Sequence, residues 1–332
     1  MGSGIGRGIA VALISGFAFA MSGPFGKPLL EAGWSPAGVV LVRLWIAALV
    51  TLIPMLVFGR DRLATLRRAP FTVLAYGLLA VVAVQLAYFN AIAHMSVTVA
   101  LLIEFSAPLL VLLYLWGRFG RRPSLRTTIG AAIAVVGLVA VVCAASGGAA
   151  VSPTGLAWAI LSLIGLAAYF LLAEDGTTAD EAGTEAQTVD QLALAVGGLL
   201  VGAITLSLTA LAGLTPVRVT TVPVVLGNIG TVPWWVPAVV IGAIATGLAY
   251  VAGIIAINMV GPTIASFLGF SEVIGAGVVA WLLLDESLTP LQIVGAVAIV
   301  IGIIVVKQGE RRRISSETGA LDPAMVPSVP LS

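Results

Sequence analysis

Apolar stretches of about twenty residues, the length that crosses a hydrocarbon layer as a helix, alternate along the chain with short polar connections. The pattern predicts ten spans, at 8–23, 37–58, 70–92, 97–117, 126–146, 154–173, 189–212, 234–257, 262–284 and 289–306. Glycine and proline are scattered through them. They would interrupt a helix in water, but in lipid the neighbouring helices re-satisfy the freed backbone groups. Several starts carry capping chemistry. Ser35-Pro36 and Ser152-Pro153 each read as an N-cap followed by proline at the first helical position. Thr289-Pro290-Leu291-Gln292 has the spacing of a capping box.

Composition makes lipid the solvent. Of 332 residues, 60% are hydrophobic and 9% charged, against about 25% charged in an ordinary soluble domain. Mean hydropathy is +1.13. This excludes a soluble enzyme and a disordered chain, and a net charge of +1 offers no field for a nucleic acid. With one cysteine, Cys143, and one histidine, His94, neither a disulfide framework nor a His- or Cys-based metal site is expected, and no cofactor is implied.

Lys and Arg set the expected orientation. Arg7, Arg60, Arg62, Arg67, Arg68, Arg118, Arg121, Arg122, Arg126, Lys307, Arg311, Arg312 and Arg313 all fall on the side of the N-terminus. Only Lys27 and Arg218 fall on the other side, and Arg43 lies within span 2. Both termini are therefore expected in the cytoplasm of a multi-pass protein of the cell membrane. The acidic loop 174–190, with no Lys or Arg, is silent on this point. Arg7, the following apolar run and Ala18-Phe19-Ala20 resemble a signal peptide, but the segment has an internal partner and so reads as span 1.

That partner comes from a repeat. Shifted by 165 residues, 76–141 lies on 241–306 without a gap, with fifteen identities in 66 positions where roughly six would arise by chance. Thr98/Thr263, Phe105/Phe270, Ser106/Ser271, Trp116/Trp281, Gly130/Gly295 and Gly137/Gly302 are among them. Span 1 matches span 6 at a shift of 147, through Gly8/Gly155, Ala10/Ala157, Ala12/Ala159, Ser15/Ser162 and Ala20/Ala167. Each half holds five spans. Five is odd, so the halves enter the membrane with opposite polarity, the layout of many secondary transporters. The expected fold is an all-α integral membrane protein with ten transmembrane helices in two inverted five-helix repeats, 1–146 and 147–306, followed by a disordered cytoplasmic tail, 307–332.

At this point the chain resembles a known family. Ala265-Ser-Phe-Leu-Gly-Phe-Ser-Glu272, Ala280-Trp-Leu-Leu-Leu-Asp-Glu-Ser-Leu-Thr289, Gln292-Ile-Val-Gly295 and Gly302 resemble the end of an EamA-type repeat of the drug/metabolite transporter superfamily. Arg43 fits that family's habit of one arginine in span 2. Leu101-Leu-Ile-Glu-Phe-Ser-Ala-Pro108 resembles a stretch of threonine/homoserine exporters. The likeness covers about residues 8–306 and implies a central cavity lined by spans 1, 3, 4, 6, 8 and 9. The first repeat departs from it, with Gly120-Arg121 where the second has Asp285-Glu286.

An ionisable side chain inside a bilayer is a functional candidate by default. Glu104 in span 4 and Glu272 in span 9 qualify. They stand one helical turn out of repeat register, on one face, and should both point toward the pseudo-twofold axis. Pro108 removes a backbone hydrogen bond near Glu104. Either carboxylate can take a substrate ammonium or exchange a proton. Glu272 lies nearer the midplane and is assigned the proton, Glu104 the ammonium. Arg43 could reach outward, pair with a carboxylate or bind a substrate carboxylate. Gln85 and Tyr88 share a face of span 3, Asn90 faces elsewhere, and Tyr250 on span 8 lies opposite in the repeat. Such polar groups also serve as glue between helices. Ser106 and Ser271 are matched, and backbone bonding is expected of them. Trp116 and Trp281 read as interface anchors, Gly130/Gly137 and Gly295/Gly302 as packing seams of spans 5 and 10, and Gly198-xxx-Gly202 as a weak dimer signal, leaving a monomer or a homodimer. His94 reads as a solvated loop residue.

No P-loop and no catalytic grouping occurs, so the expected function is not enzymatic. It is secondary transport, by export, of amino acids or other small amphoteric metabolites, with an importer of similar solutes or a passive channel as the alternatives.

Overall fold

The computed structural model describes residues 2–58, 66, 70–120, 124–146, 152–178, 191–269 and 271–319. In chain order its helices are α1 (Gly2–Ala20), α2 (Ser22–Glu31), α3 (Pro36–Phe58), α4 (Pro70–Tyr76), α5 (Val84–Ile92), α6 (Val97–Glu104), α7 (Ala107–Phe119) and α8 (Leu125–Ser146). There follow α9 (Pro153–Thr178), α10 (Gln191–Leu211), α11 (Trp235–Val239), α12 (Ala249–Leu268), α13 (Ser271–Leu284) and α14 (Pro290–Gly319). Wider π turns at Gly77–Ala83 and Val240–Leu248 join α4 to α5 and α11 to α12. Among the described residues, six helical runs are long and apolar enough to cross a membrane, and four shorter apolar helices accompany them. The outer faces are apolar as well: Phe71 is 83% and Val136 68% exposed. A surface of that kind belongs in lipid. The protein is an all-α, multi-pass membrane protein.

The capping chemistry forms as the sequence predicts. Ser35 Oγ accepts from Gly38 N at 3.1 Å and Ser152 Oγ from Gly155 N at 2.9 Å. Gln292 Oε1 accepts from Thr289 N at 2.8 Å while Thr289 Oγ1 accepts from Gln292 N, the reciprocal bonds of a capping box.

Boundaries differ in four places. The first span does not stop at 23: after a break at Met21, α2 carries it to Glu31. Gly23 and Gly26 look like loop residues, but a Cβ at either would collide with Tyr88 or Phe89, so they are close-packing positions of a helix. The fourth span is two helices with a turn at Phe105–Ser106. Pro108 lacks the N–H that would bond the Glu104 carbonyl. The break predicted at 258–261 is absent, and α12 runs on to Leu268 before a turn at Gly269. Glycine and proline are tolerated inside membrane helices, so Gly261-Pro262 does not end this one. The tail expected to be disordered from 307 instead continues α14 as far as Gly319. Lys307, Gln308 and Glu310 are good helix formers, and propagation from an established helix is easy. Residues 320–332 lie outside the described residues, as does most of the acidic loop. A short antiparallel hairpin, β1 (Val224–Leu226) and β2 (Gly230–Val232), adds a feature without a sequence expectation.

Contacts between the two halves recur in pairs. Ser15 Oγ donates to Ala249 O at 2.8 Å, and Ser162 Oγ lies 3.3 Å from Val84 O; the repeat shifts carry each pair onto the other. Gly8 packs on Met259, and its counterpart Gly155 packs on His94. Gly130 faces the Gly302 backbone and Gly137 that of Gly295, so α8 and α14 run antiparallel along a glycine seam. The two π segments also sit at matched positions. The Gly198/Gly202 stripe meets Tyr76, Val81, Val82 and Leu44 of the same chain. This corrects its reading as a dimer face, because small residues serve close helix packing within a chain as readily as between chains.

A Cβ at Gly137 would stand 2.6 Å from Gly295 O and 2.9 Å from Ile299 N. Gly137→Val must push α8 off α14, and overpacking of this kind costs about 1–3 kcal/mol. The expected result is a lower thermal unfolding midpoint in detergent, with Gly117→Val, which meets nothing within 4 Å, close to the parent.

Candidate functional site

Two broken helices place the carboxylates. Glu104 is the last residue of α6, just before the turn at Phe105–Ser106. Glu272 is in the first turn of α13, just after the turn at Gly269, whose carbonyl accepts from Glu272 N. A helix N-terminus favours negative charge there. Interrupted helices that present side chains and free backbone at the midplane are a recurring basis of transporter sites.

Both carboxylates line one cavity of about 350 Å³. Arg43, Gln85, Tyr88, Ser22 and Gly23 line it as well, with Phe19, Leu101, Phe105, Pro108 and Leu166 supplying apolar wall. A larger hollow of about 500 Å³ lies between α13 and α14, lined by exposed Ile274, Val278, Trp281, Ile293, Val297 and Ile301 together with Thr98, Glu286 and Ser287. The chemistry is in the first.

Arg43 is the best-held group in the cavity, at 1% exposure. Its Nε donates to Thr246 Oγ1 at 2.6 Å, and its Nη1 donates to Ser22 Oγ at 2.5 Å and to Gln85 Oε1 at 2.9 Å. The guanidinium carbon stands 5.6 Å from the Phe89 ring centroid. All of these partners are neutral. Among the described residues Arg43 forms no ion pair, and the one ion pair is Lys27–Glu286. Nη2 takes part in none of these bonds.

Glu104 Oε2 accepts from Ser162 Oγ at 3.0 Å. That hydroxyl has one proton and two acceptors in reach, Glu104 and Val84 O. The Glu272 carboxylate has no hydrogen-bond or ion-pair partner among the described residues. Among the described lining residues, one guanidinium and two carboxyl groups thus share the cavity with no ion pair between them.

The other expected site residues divide. Gln85 and Tyr88 are in the cavity. Gln85 serves Arg43, and Tyr88 sits edge-on to Phe89 at 5.5 Å. Tyr250 is not in the lining. It stacks edge-on to Phe19 at 5.2 Å and shares a side-chain hydrogen bond with Tyr76. Asn90 is outside, its Nδ2 donating to Leu86 O in its own helix at 2.7 Å. Ser271 is turned away against Gly16, with a buried hydroxyl lacking a partner among the described residues. Its expected backbone bond is made only by its counterpart, Ser106, to Leu102 O. Span 8 supplies Thr246 as a partner of Arg43 but no described lining residue, while span 2 supplies Arg43 itself. Ser22, Ser162 and Thr246 went unread in the sequence as site residues. Ser162 had one signal, its identity with Ser15 in the repeat.

A family model described as the EamA-like transporter family matches residues 6–143 and 153–307. A search of curated proteins finds no match. A similar crystal structure has a TM-score of 0.59 and 18% identity, covering 91% of this chain and 98% of that one, which is a likeness of fold.

Proposed function

This chain belongs to the EamA-like transporter family, and on that premise we propose that it exports amino acids or other small amphoteric metabolites across the cytoplasmic membrane by alternating access. One observation carries the choice of cargo. Arg43, Glu104 and Glu272 share a small cavity, yet Arg43 pairs with neither carboxylate. Opposite charges in a low-dielectric cavity attract strongly, so separate ones suit an occupant that brings an ammonium for a carboxylate and a carboxylate for Arg43 Nη2. Phe19, Leu101 and Phe105 suit an apolar body between them.

The same proposal includes ten crossings in two inverted repeats, 1–146 and 147–306. The paired contacts Ser15–Ala249 with Ser162–Val84, and Gly130–Gly302 with Gly137–Gly295, support it. The Lys and Arg distribution supports cytoplasmic termini. The cavity is formed within one chain, so a monomer suffices. Proton coupling through Glu272 completes the reading.

The test is counterflow in proteoliposomes with a panel of zwitterionic, cationic and anionic solutes. Zwitterions are expected to exchange. Glu104→Gln is expected to raise their KM by about tenfold or more, because a hydrogen bond to a charged group contributes about 1.5–3 kcal/mol. Preferred exchange of anions, or unitary currents in place of saturable exchange, would overturn the proposal.

A further inference from the structure

The Asp285-Glu286 pair at the end of α13 has no part in the cavity, yet the fold holds it firmly. Asp285 has φ +54°, and no other described non-glycine residue has positive φ. Aspartate tolerates this left-handed conformation better than most side chains, and here it ends α13 and turns Glu286 back over the bundle. Glu286 Oε1 accepts from Lys27 Nζ at 2.6 Å, and Oε2 accepts from Val97 N at 3.0 Å. Lys27 Nζ also donates to Met95 O at 3.1 Å. One carboxylate therefore ties the middle of α2, the start of α6 and the end of α13.

Each of these three elements also supplies cavity lining: Gly23 from α2, Glu104 from α6 and Glu272 from α13. Lys27 is one helical turn beyond Gly23, which lines it. Val97 opens the helix that ends at Glu104, and Glu286 follows the helix that begins beside Glu272. Val97, whose N–H bonds the Glu286 carboxylate, is fully buried. We propose that the Lys27–Glu286 pair is the gate that shuts the cavity toward the face opposite the termini, and that it breaks and re-forms in each transport cycle.

The environment suits such a device. The two side chains retain 20% and 13% exposure, so water can solvate each when they part. A fully buried pair would leave uncompensated charges on opening, and a fully exposed one would hold nothing shut. The links to the carboxylates are short rigid helices, α6 to Glu104 and α13 to Glu272. A solute that moves either carboxylate therefore moves a post of the gate.

The proposal rests on the transporter reading and its orientation, and the experiment separates the three. In a Cys143→Ala background, Ala276→Cys places a thiol in the cavity lining. Its labelling by a membrane-impermeant maleimide is followed in right-side-out and inside-out vesicles. Glu286→Gln and Lys27→Met are each expected to raise labelling from the face opposite the termini by about tenfold and lower it from the other, a shift of population between two states. The double variant should add little to either single. Lys27→Arg keeps the pair and should label as the parent does. A rise on both faces, no change on either, or full opening by Lys27→Arg would overturn the gate. Opposite changes with the faces exchanged would keep the gate and overturn the orientation. Absence of zwitterion exchange in the parent protein, with labelling as expected, would count against the cargo alone.

Discussion

Glu272→Gln is expected to abolish uphill transport driven by a pH gradient while leaving solute exchange measurable. Glutamine preserves the shape of the side chain and most of its hydrogen-bonding capacity but cannot take up or release a proton. Glu272 is the suited carrier because its carboxylate lines the cavity with no partner among the described residues, whereas Glu104 is held by Ser162. A proton site must change state during the cycle, and a group without a fixed donor does so with the least rearrangement. The measurement is accumulation of a zwitterionic solute in proteoliposomes under an imposed pH gradient, beside counterflow at equal pH on both sides. Uphill accumulation should fall by about a hundredfold or more, and counterflow by less than about tenfold, a division between coupling and binding expressed as separate free energies. Undiminished uphill transport would show that Glu272 is held for packing and that coupling lies elsewhere.

The second large effect is expected at Arg43. Arg43→Ala removes three hydrogen bonds and leaves Ser22, Gln85 and Thr246 with lost partners in a buried setting. It also removes the one positive charge among the described lining residues of a cavity with two carboxyl groups. Losses of this kind amount to about 3–5 kcal/mol. Thermal unfolding in detergent should show a marked drop, with no detectable transport. Arg43→Lys separates charge from geometry. Lysine restores the charge, but its ammonium cannot present a planar fork to acceptors on α2, span 3 and the π segment near α12 at once. It should therefore recover less than half of the lost stability. A lysine variant as stable as the parent would make charge alone the determinant and dismiss the network.

Much was legible along the chain because lipid imposes a simple rule. Every crossing must be long, apolar and internally hydrogen-bonded, so spans, caps at Ser35, Ser152 and Thr289, and the close-packing glycines of α8 and α14 follow from local pattern and repeat register, while the antiparallel pairing of those two helices came from the structure. Glu104, Glu272 and Arg43 stood out for a related reason: charge inside a bilayer is too costly to be incidental. What register alone could not decide was direction. Tyr250 lies opposite Gln85 in the repeat, yet it packs behind Phe19 rather than in the cavity. Asn90, two residues from Tyr88, bonds its own helix. Ser271 matches Ser106 but turns toward Gly16. A serine or tyrosine is cheap enough in a membrane helix to serve either as glue or as lining, so its type carries little information about its role.

Partnership was equally hidden. Ser22, Gln85 and Thr246 are far apart in sequence and of ordinary type, and only the packing of three helices around Arg43 makes them one network. The sequence by itself determined that this protein lives in lipid, crosses it repeatedly and carries a few deliberate charges. The tertiary structure decided which of those charges meet, which hydrogen bonds occupy them and which stay free, because these depend on distances between helices that no local pattern encodes.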